Sequence, residues 1–194
     1  MKKELLLVNI NDQVVGYGDK LPIHKAGLLH RAFSLFIYSK EEKKFLLQKR
    51  CKQKYHSGGK WSNSFCSHPY KDETWYEALQ RGAIDELNLP LNLSKDICCN
   101  SNDAPGFIDD NLFFAGSFIY LSDYKDLSEH ECDYVFVYVV ESIITDISFN
   151  LTEVSEIMWR TKDDIKSMID NGPDDFSSWF CNAFDLVENN FGSI

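Results

Sequence analysis

Apolar residues recur along this 194-residue chain with two different periods, and the changes between them mark out the elements. Residues 5–10 (LLLVNI) and 32–38 (AFSLFIY) have strand character, and 44–49 (KFLLQK) is a third, shorter candidate. Residues 113–121 and 134–140 (YVFVYVV) are rich in β-branched and aromatic side chains, as strands buried on both faces are. A further short strand is expected at 157–160. Over 73–87 the period lengthens: Trp75, Leu79, Ala83 and Leu87 recur every fourth residue, with Glu77 one turn before Arg81. Asn88 follows where a left-handed C-cap belongs, and Pro90 prevents continuation. Thr161 can cap a helix running to about Asp170. The last helix opens after Gly172–Pro173, with Phe176, Trp179, Phe180, Ala183, Phe184 and Val187 on one stripe. Residues 52–60 read as a loop turning at Gly58–Gly59, and 100–110 as a polar, variable one. Strands interleaved with helices and no convincing linker predict one α/β domain, α+β layered, spanning 1–194.

Composition narrows the partners. With 44% apolar and 26% charged residues, and with 14 Phe, 9 Tyr and 4 Trp, the chain can fill a substantial core. A formal charge of −10 argues against a nucleic acid or an anionic membrane as partner. No segment approaches the roughly 18 apolar residues of a membrane span, and the opening MKKELLLVNIND is too short for a signal h-region. The six cysteines (51, 66, 98, 99, 132, 181) form no paired framework and read as reduced thiols, so a cytoplasmic protein is expected.

Four small groups of residues carry chemistry. His24 and His30 flank the loop before the second strand; Cys66 and His68 lie in WSNSFCSHP (61–69); Glu86 ends the central helix; Glu129 and Glu131 precede YVFVYVV. On a strand, i and i+2 share a face, so Cys66 with His68, and Glu129 with Glu131, can each serve one pocket. Three histidines and two carboxylates suit Zn or Mn better than Ca. Each piece alone is weak: a lone histidine is usually a hydrogen-bonded core or surface residue, and a lone cysteine a small buried hydrophobe.

A longer pattern runs from Ser67 to Leu89. Against the Nudix box (G-x5-E-x7-R-E-U-x-E-E-x-G-U, U a bulky aliphatic), Glu73, Arg81, Glu86 and Leu89 match. Ser67 replaces the first Gly, Gly82 and Asp85 replace glutamates, and Asn88 replaces the last Gly. That leaves too few carboxylates for efficient metal-assisted hydrolysis of a diphosphate. Taken together, HKAGLLHRAFS (24–34), WSNSFCSHP (61–69), DEL (85–87) and EHECDYV (129–135) resemble the ordered motifs of type I isopentenyl diphosphate isomerase. The resemblance runs from about Lys20 to Trp179.

That resemblance implies a fold, an activity and a set of site residues. The fold would be a Nudix-like α/β/α sandwich with a mixed sheet, its core at about 28–165, with an N-terminal strand and loop and a C-terminal helix closing the site. The activity would be interconversion of isopentenyl and dimethylallyl diphosphate through a tertiary carbocation, by a monomer or weak homodimer. Cys66 and Glu131 match the catalytic pair, Tyr120 an active-site tyrosine, and Trp179, placed on the last helix, the aromatic lid. His24, His30, His68, Glu129 and Glu131 match a site for one Zn or Mn ion, and Glu86 the residue holding Mg with the diphosphate. Lys20, Arg50, Lys54 and Ser67 match diphosphate contacts. Two other readings stay open: a Nudix hydrolase of a nucleoside diphosphate derivative, and a catalytically inactive metal-binding scaffold.

Overall fold

A computed structural model describes residues 3–94, 101 and 110–191. Along the chain run β1 (Glu4–Val8), β2 (Val14–Asp19), α1 (Lys20–Ala26), β3 (His30–Ser39) and β4 (Lys44–Arg50). Then come β5 (Trp61–Ser62), β6 (Phe65–Ser67), α2 (Trp75–Leu87), β7 (Leu112–Tyr124) and β8 (Leu127–Val140). β9 (Val154–Thr161), α3 (Lys162–Asn171), a 3₁₀ turn (Pro173–Asp175) and α4 (Phe180–Phe191) complete the order. The strands form one mixed sheet with helices on both faces, the layered arrangement expected. None of the described helices is long and apolar enough to cross a membrane.

β3 is the axis of the sheet, buried along its whole length. One edge pairs in parallel with β8 over ten residues, from His30 opposite Glu131 to Ser39 opposite Val140. The other edge is divided among three antiparallel partners: β1 at His30, β6 at Phe33–Leu35, and β4 at Ile37–Ser39. Alternation then sorts the side chains. Phe33, Leu35 and Ile37 face α2 together with Tyr134, Phe136, Trp75 and Leu79. Phe36, Tyr38, Val135 and Val137 face the layer that holds Phe180, Phe184 and Ile165. Continued toward the strand starts, this second face carries His30, Ala32 and Ser34 on β3, and Glu129, Glu131 and Asp133 on β8. The polar switch marks where cover by α4 ends and a cavity begins.

Local chemistry explains most element ends. Thr74 caps α2 by accepting from the Glu77 N–H while Glu77 accepts from the Thr74 N–H, and Asn88 closes it at φ 49°. Thr161 and Asp164 make the same reciprocal box on α3. Three expectations need correction. The segment before β3 is only partly a loop: β2 forms a hairpin with β1, α1 carries His24, and only 27–29 turn between it and His30. Glu129 and Glu131 lie within β8 rather than before it. Trp179 sits in the turn preceding α4, its carbonyl accepting from the Ala183 N–H at 3.0 Å, so it begins the helix rather than lying on its stripe. Cys98, Cys99 and 102–109 lie outside the described residues; Cys51, Cys66, Cys132 and Cys181 are free.

Gly82 shows how closely α2 meets the sheet. A Cβ there would stand 2.7 Å from Phe65 Cε2 and 3.3 Å from Phe33 Cζ, both on buried rings. The position where a Nudix box has glutamate therefore admits no side chain. Gly82→Glu is expected to lower the free energy of unfolding by about 2 kcal/mol or more, as overpacked cores do. Urea unfolding checks it; an unchanged midpoint would show that the helix can stand off from Phe65.

Candidate active site

The register of β3, β6 and β8 assembles the site. His30 lies opposite Glu131, and Ser34 opposite Cys66 on the other edge of β3. α1 adds His24 and the segment that follows β6 adds His68, around a cavity of about 170 Å³. Cys66 and His68 both belong to this pocket, as their spacing predicts.

Ligand atoms of His24, His30, His68 and Glu131 all lie within 4.8 Å of one another. Each of the first two histidines contacts a backbone carbonyl through Nδ1, of Lys20 and of Leu28, both at 2.8 Å. Those contacts put the proton on Nδ1 and leave Nε2 as a lone-pair donor. Both Nε2 atoms are buried without a hydrogen-bond partner. Burial, with His30 beside it, lowers the His24 pKa to about 4, and burial holds His68 well below its ordinary value. Glu131 Oε1 lies 2.9 Å from His68 Nε2 and 3.3 Å from His30 Nε2. Burial would raise the Glu131 pKa, but the His68 contact holds it well below the carboxylate range. Imidazole nitrogens gathered this closely around an ionised carboxylate, two of them without a partner, suit a divalent first-row metal.

Glu129 stands outside that foursome. Its Oε1 lies 2.6 Å from His56 Nε2, and the Tyr120 hydroxyl lies 3.3 Å from its Oε2. Tyr120 donates a shorter bond, 2.6 Å, to Glu131 Oε2. Burial and the Glu131 charge push the Glu129 pKa to about 8. His56 was not among the residues that motif and spacing singled out. It lies in the 52–60 loop with no periodic neighbour, so only the tertiary fold brings it here. Asp133 was missed too, although it continues the i, i+2 series from Glu129; Ser34 Oγ donates to it at 2.8 Å.

The Cys66 thiol accepts from Arg50 Nη1 at 3.5 Å, and burial raises its pKa despite that cation. Trp179 walls the same cavity. Asn63 Oδ1 accepts from its Nε1 at 3.0 Å, Arg50 lies 5.2 Å from the ring, and Tyr120 lies 6.2 Å away. Lys20, Lys54, Ser67 and Glu86 line the cavity as well, so it gathers every predicted site residue except His24 and His30, which belong to the histidine cluster. Lys54 pairs with Glu153, and Ser67 Oγ accepts from Arg81. Burial raises the Glu86 pKa to about 7, with Gln48 donating to it at 2.8 Å. Glu73, the other intact glutamate of the box, is held by Arg81 at 2.8 and 2.9 Å and does not line the cavity.

The family model of the NUDIX domain matches residues 28–180. The isopentenyl-diphosphate Delta-isomerase of Aliivibrio fischeri (strain MJ11) is 36% identical over 192 residues, covering 96% of each chain. Isopentenyl-diphosphate Delta-isomerase 2 of Photorhabdus laumondii is 35% identical, over 93% of this chain and 89% of its own. The chain belongs to the isopentenyl-diphosphate Delta-isomerase family of NUDIX-domain proteins. Solved structures agree on the fold. DR0079 from Deinococcus radiodurans superposes with a TM-score of 0.61 at 20% identity, over 88% of this chain and 90% of its own. A NUDIX hydrolase from Nitrosomonas europaea gives 0.55 at 12% identity, over 81% and 87%.

The buried carboxyls of this isopentenyl-diphosphate Delta-isomerase family member predict an unusual pH response once metal is removed. Below about pH 6.5, His24, His56 and His68 are neutral in the fold but protonate on unfolding, which opposes the effect of Glu86 and Glu129. Above it only the carboxyls count: folded Glu86 and Glu129 hold protons to about 7 and about 8, while unfolded glutamates have released theirs. Their raised values therefore contribute stability that is lost as pH rises, up to ~1.4 kcal/mol per unit for each group. Unfolding of chelated protein should become easier between pH 6.5 and 8, and added Zn²⁺ or Mn²⁺ should remove that slope. A flat profile after chelation would contradict these buried protonated carboxyls.

Proposed function

We propose that this chain interconverts isopentenyl diphosphate and dimethylallyl diphosphate, acting as an isomerase in isoprenoid biosynthesis. The observation that carries the reading is the placement of Cys66 and the Tyr120–Glu131 pair. They stand on strands at opposite edges of β3, yet line one cavity with Trp179. An unactivated alkene is a poor base, so the reaction needs an acid and a base on two sides of a short carbon chain. A proton added to the terminal carbon of isopentenyl diphosphate leaves a tertiary cation. Loss of a proton from the carbon two bonds away gives the isomer. Cys66, kept as a thiol by burial, and Glu131, kept ionised, are assigned these roles jointly, because donor and acceptor exchange with direction. Trp179 and Tyr120 offer π-faces to the cation, worth ~2 kcal/mol when desolvated.

His24, His30, His68 and Glu131, with Glu129 beside them, are proposed to hold one Zn or Mn ion. When bound, it would fix the orientation of Glu131 and tune its proton affinity. At the polar end, Lys20, Arg50, Lys54 and Ser67 are assigned to the diphosphate, and Glu86 to the Mg²⁺ that accompanies it. For these contacts Lys54 exchanges Glu153 for the substrate, and Ser67 shares its hydroxyl with Arg81. The free thiols suit a cytoplasmic setting.

A hydrolase would need more carboxylates than Asp85 and Glu86, the two that this helix turns to the cavity, since Glu73 is paired with Arg81 and Gly82 is packed on Phe65. Incubation with isopentenyl diphosphate, Mg²⁺ and trace Zn²⁺ or Mn²⁺ separates the readings. Dimethylallyl diphosphate is expected; orthophosphate or a monophosphate would indicate a hydrolase, and no product a scaffold. Cys66→Ala should reduce isomerisation at least ~10²-fold, the scale of a lost acid–base group, while leaving the metal bound. Near-normal turnover in that variant would sink the assignment. His24→Ala or His68→Ala should lose bound metal by elemental analysis, and unchanged content would remove the proposed centre.

A further inference from the structure

We propose that His56 is a positioning residue for Glu129, holding that carboxylate for the metal centre; this rests on the metal site proposed above. The loop that carries His56 is folded tightly enough to act as a mount. Gly59 donates to the Arg50 carbonyl at 3.0 Å, and Arg50 to the Lys60 carbonyl at 2.9 Å. A Cβ at Gly58 would stand 2.6 Å from the Lys52 carbonyl oxygen, and Gly59 has φ 78°. Both positions require glycine for this path. Ser57 Oγ and the Tyr124 hydroxyl, 3.0 Å apart, hold the loop tip against β7.

The ring so mounted is 7% exposed and points Nε2 at Glu129 Oε1, 2.6 Å away. Its faces and edges meet Tyr55, Tyr124 and Trp179 at centroid distances of 4.6, 5.3 and 5.9 Å. Arg50 Nη2 lies 3.4 Å from the same nitrogen. Nδ1 is buried with no hydrogen-bond partner. A side chain present only to fill this space would not carry an unpaired buried nitrogen, since an apolar ring would pack there without that cost. The contact with Glu129 is what a histidine supplies. With Oε1 held by His56, Oε2 is the oxygen turned toward Tyr120, which in turn donates to Glu131. His56 thus does for a carboxylate what the Lys20 and Leu28 carbonyls do for His24 and His30: it fixes which atom is presented.

The test uses Co²⁺, whose visible bands report its ligand set. Competition with a chelator, the Co²⁺ spectrum and thermal melting are measured for the full chain and for His56→Phe and His56→Gln. Phenylalanine keeps the ring and removes the nitrogen; glutamine returns an N–H donor at similar reach. His56→Phe is expected to weaken Co²⁺ binding about 10- to 100-fold and shift its bands, and His56→Gln to recover to within about threefold. Wild-type affinity and spectrum in His56→Phe would overturn the proposal, as would a His56→Gln no better than His56→Phe. Should His56→Phe fail to fold, His56→Met, which likewise lacks the N–H donor, is paired with Glu129→Gln in a double-mutant cycle. The double variant should bind no more weakly than Glu129→Gln alone, and additive losses would overturn the proposal. Wild-type protein that binds no Co²⁺ overturns it too. A chain that shows the expected Co²⁺ pattern but makes no dimethylallyl diphosphate would instead fail the isomerase reading and leave this one standing.

Discussion

The parallel register of β3 on β8 is the constraint on which the rest of the site depends. It sets His30 opposite Glu131, and by alternation it turns Ala32, Ser34, Glu129 and Asp133 to the same side. A slip of one residue would send the slipped strand's polar set into the layer of Phe33, Phe65 and Trp75 and expose its apolar set to the cavity. The aromatic packing of Tyr134 and Phe136 against Trp75 and Phe33 therefore fixes the placement of the His/Glu cluster from the other face of the sheet. Core and site are two parities of the same strands.

The second constraint comes from α2. In a Nudix box this helix presents carboxylates to a diphosphate-bound metal; here its face is divided differently. Gly82 is pressed on Phe65, Glu73 is tied to Arg81, and Arg81 also donates to the His68 carbonyl at 2.7 Å and to Ser67 Oγ at 3.1 Å. The arginine thus holds β6, which presents Cys66, and the segment after it, which presents His68. Glu86 alone among the box glutamates stays in the cavity, buried and held by Gln48. The helix has become mainly a brace for β6, and the chemistry has moved to the strands.

Much of this was legible from the order of residues, for identifiable reasons. β3, β4, α2 and α3 declare themselves because their period is strong and their ends carry specific caps, as Thr74, Asn88 and Thr161 show. α1 does not: it has seven residues, a proline inside its first turn, and no side-chain cap at Asp19. β2 is broken up by Gly16 and Gly18 and half exposed, so it lacks an apolar run. Trp179 and Phe176 fit a helical spacing yet lie in the turns before α4, because an i, i+3 interval is also what a tight turn gives. The candidate residues were recognised through their motifs, but their convergence is a property of long-range pairing that no local spacing contains. His56 escaped both routes, having neither motif nor period.

Arg50 joins the two halves of the cavity. It is 4% exposed, and its guanidinium reaches the Cys66 thiol, the Trp179 ring and His56. Burial would lower the pKa of an arginine this deep, but the negative charge that Cys66, Glu86 and Glu129 carry when ionised outweighs that effect and raises it. Its cation in turn opposes the upward shift of those same groups. One fixed positive charge therefore serves the end assigned to the diphosphate and the end assigned to the hydrocarbon. Replacing it by lysine would keep the charge but not the planar fork that reaches both. The histidines, carboxyls and thiol of the site are thus arranged around this one guanidinium, with Glu131 held ionised and Glu129 held toward its protonated form.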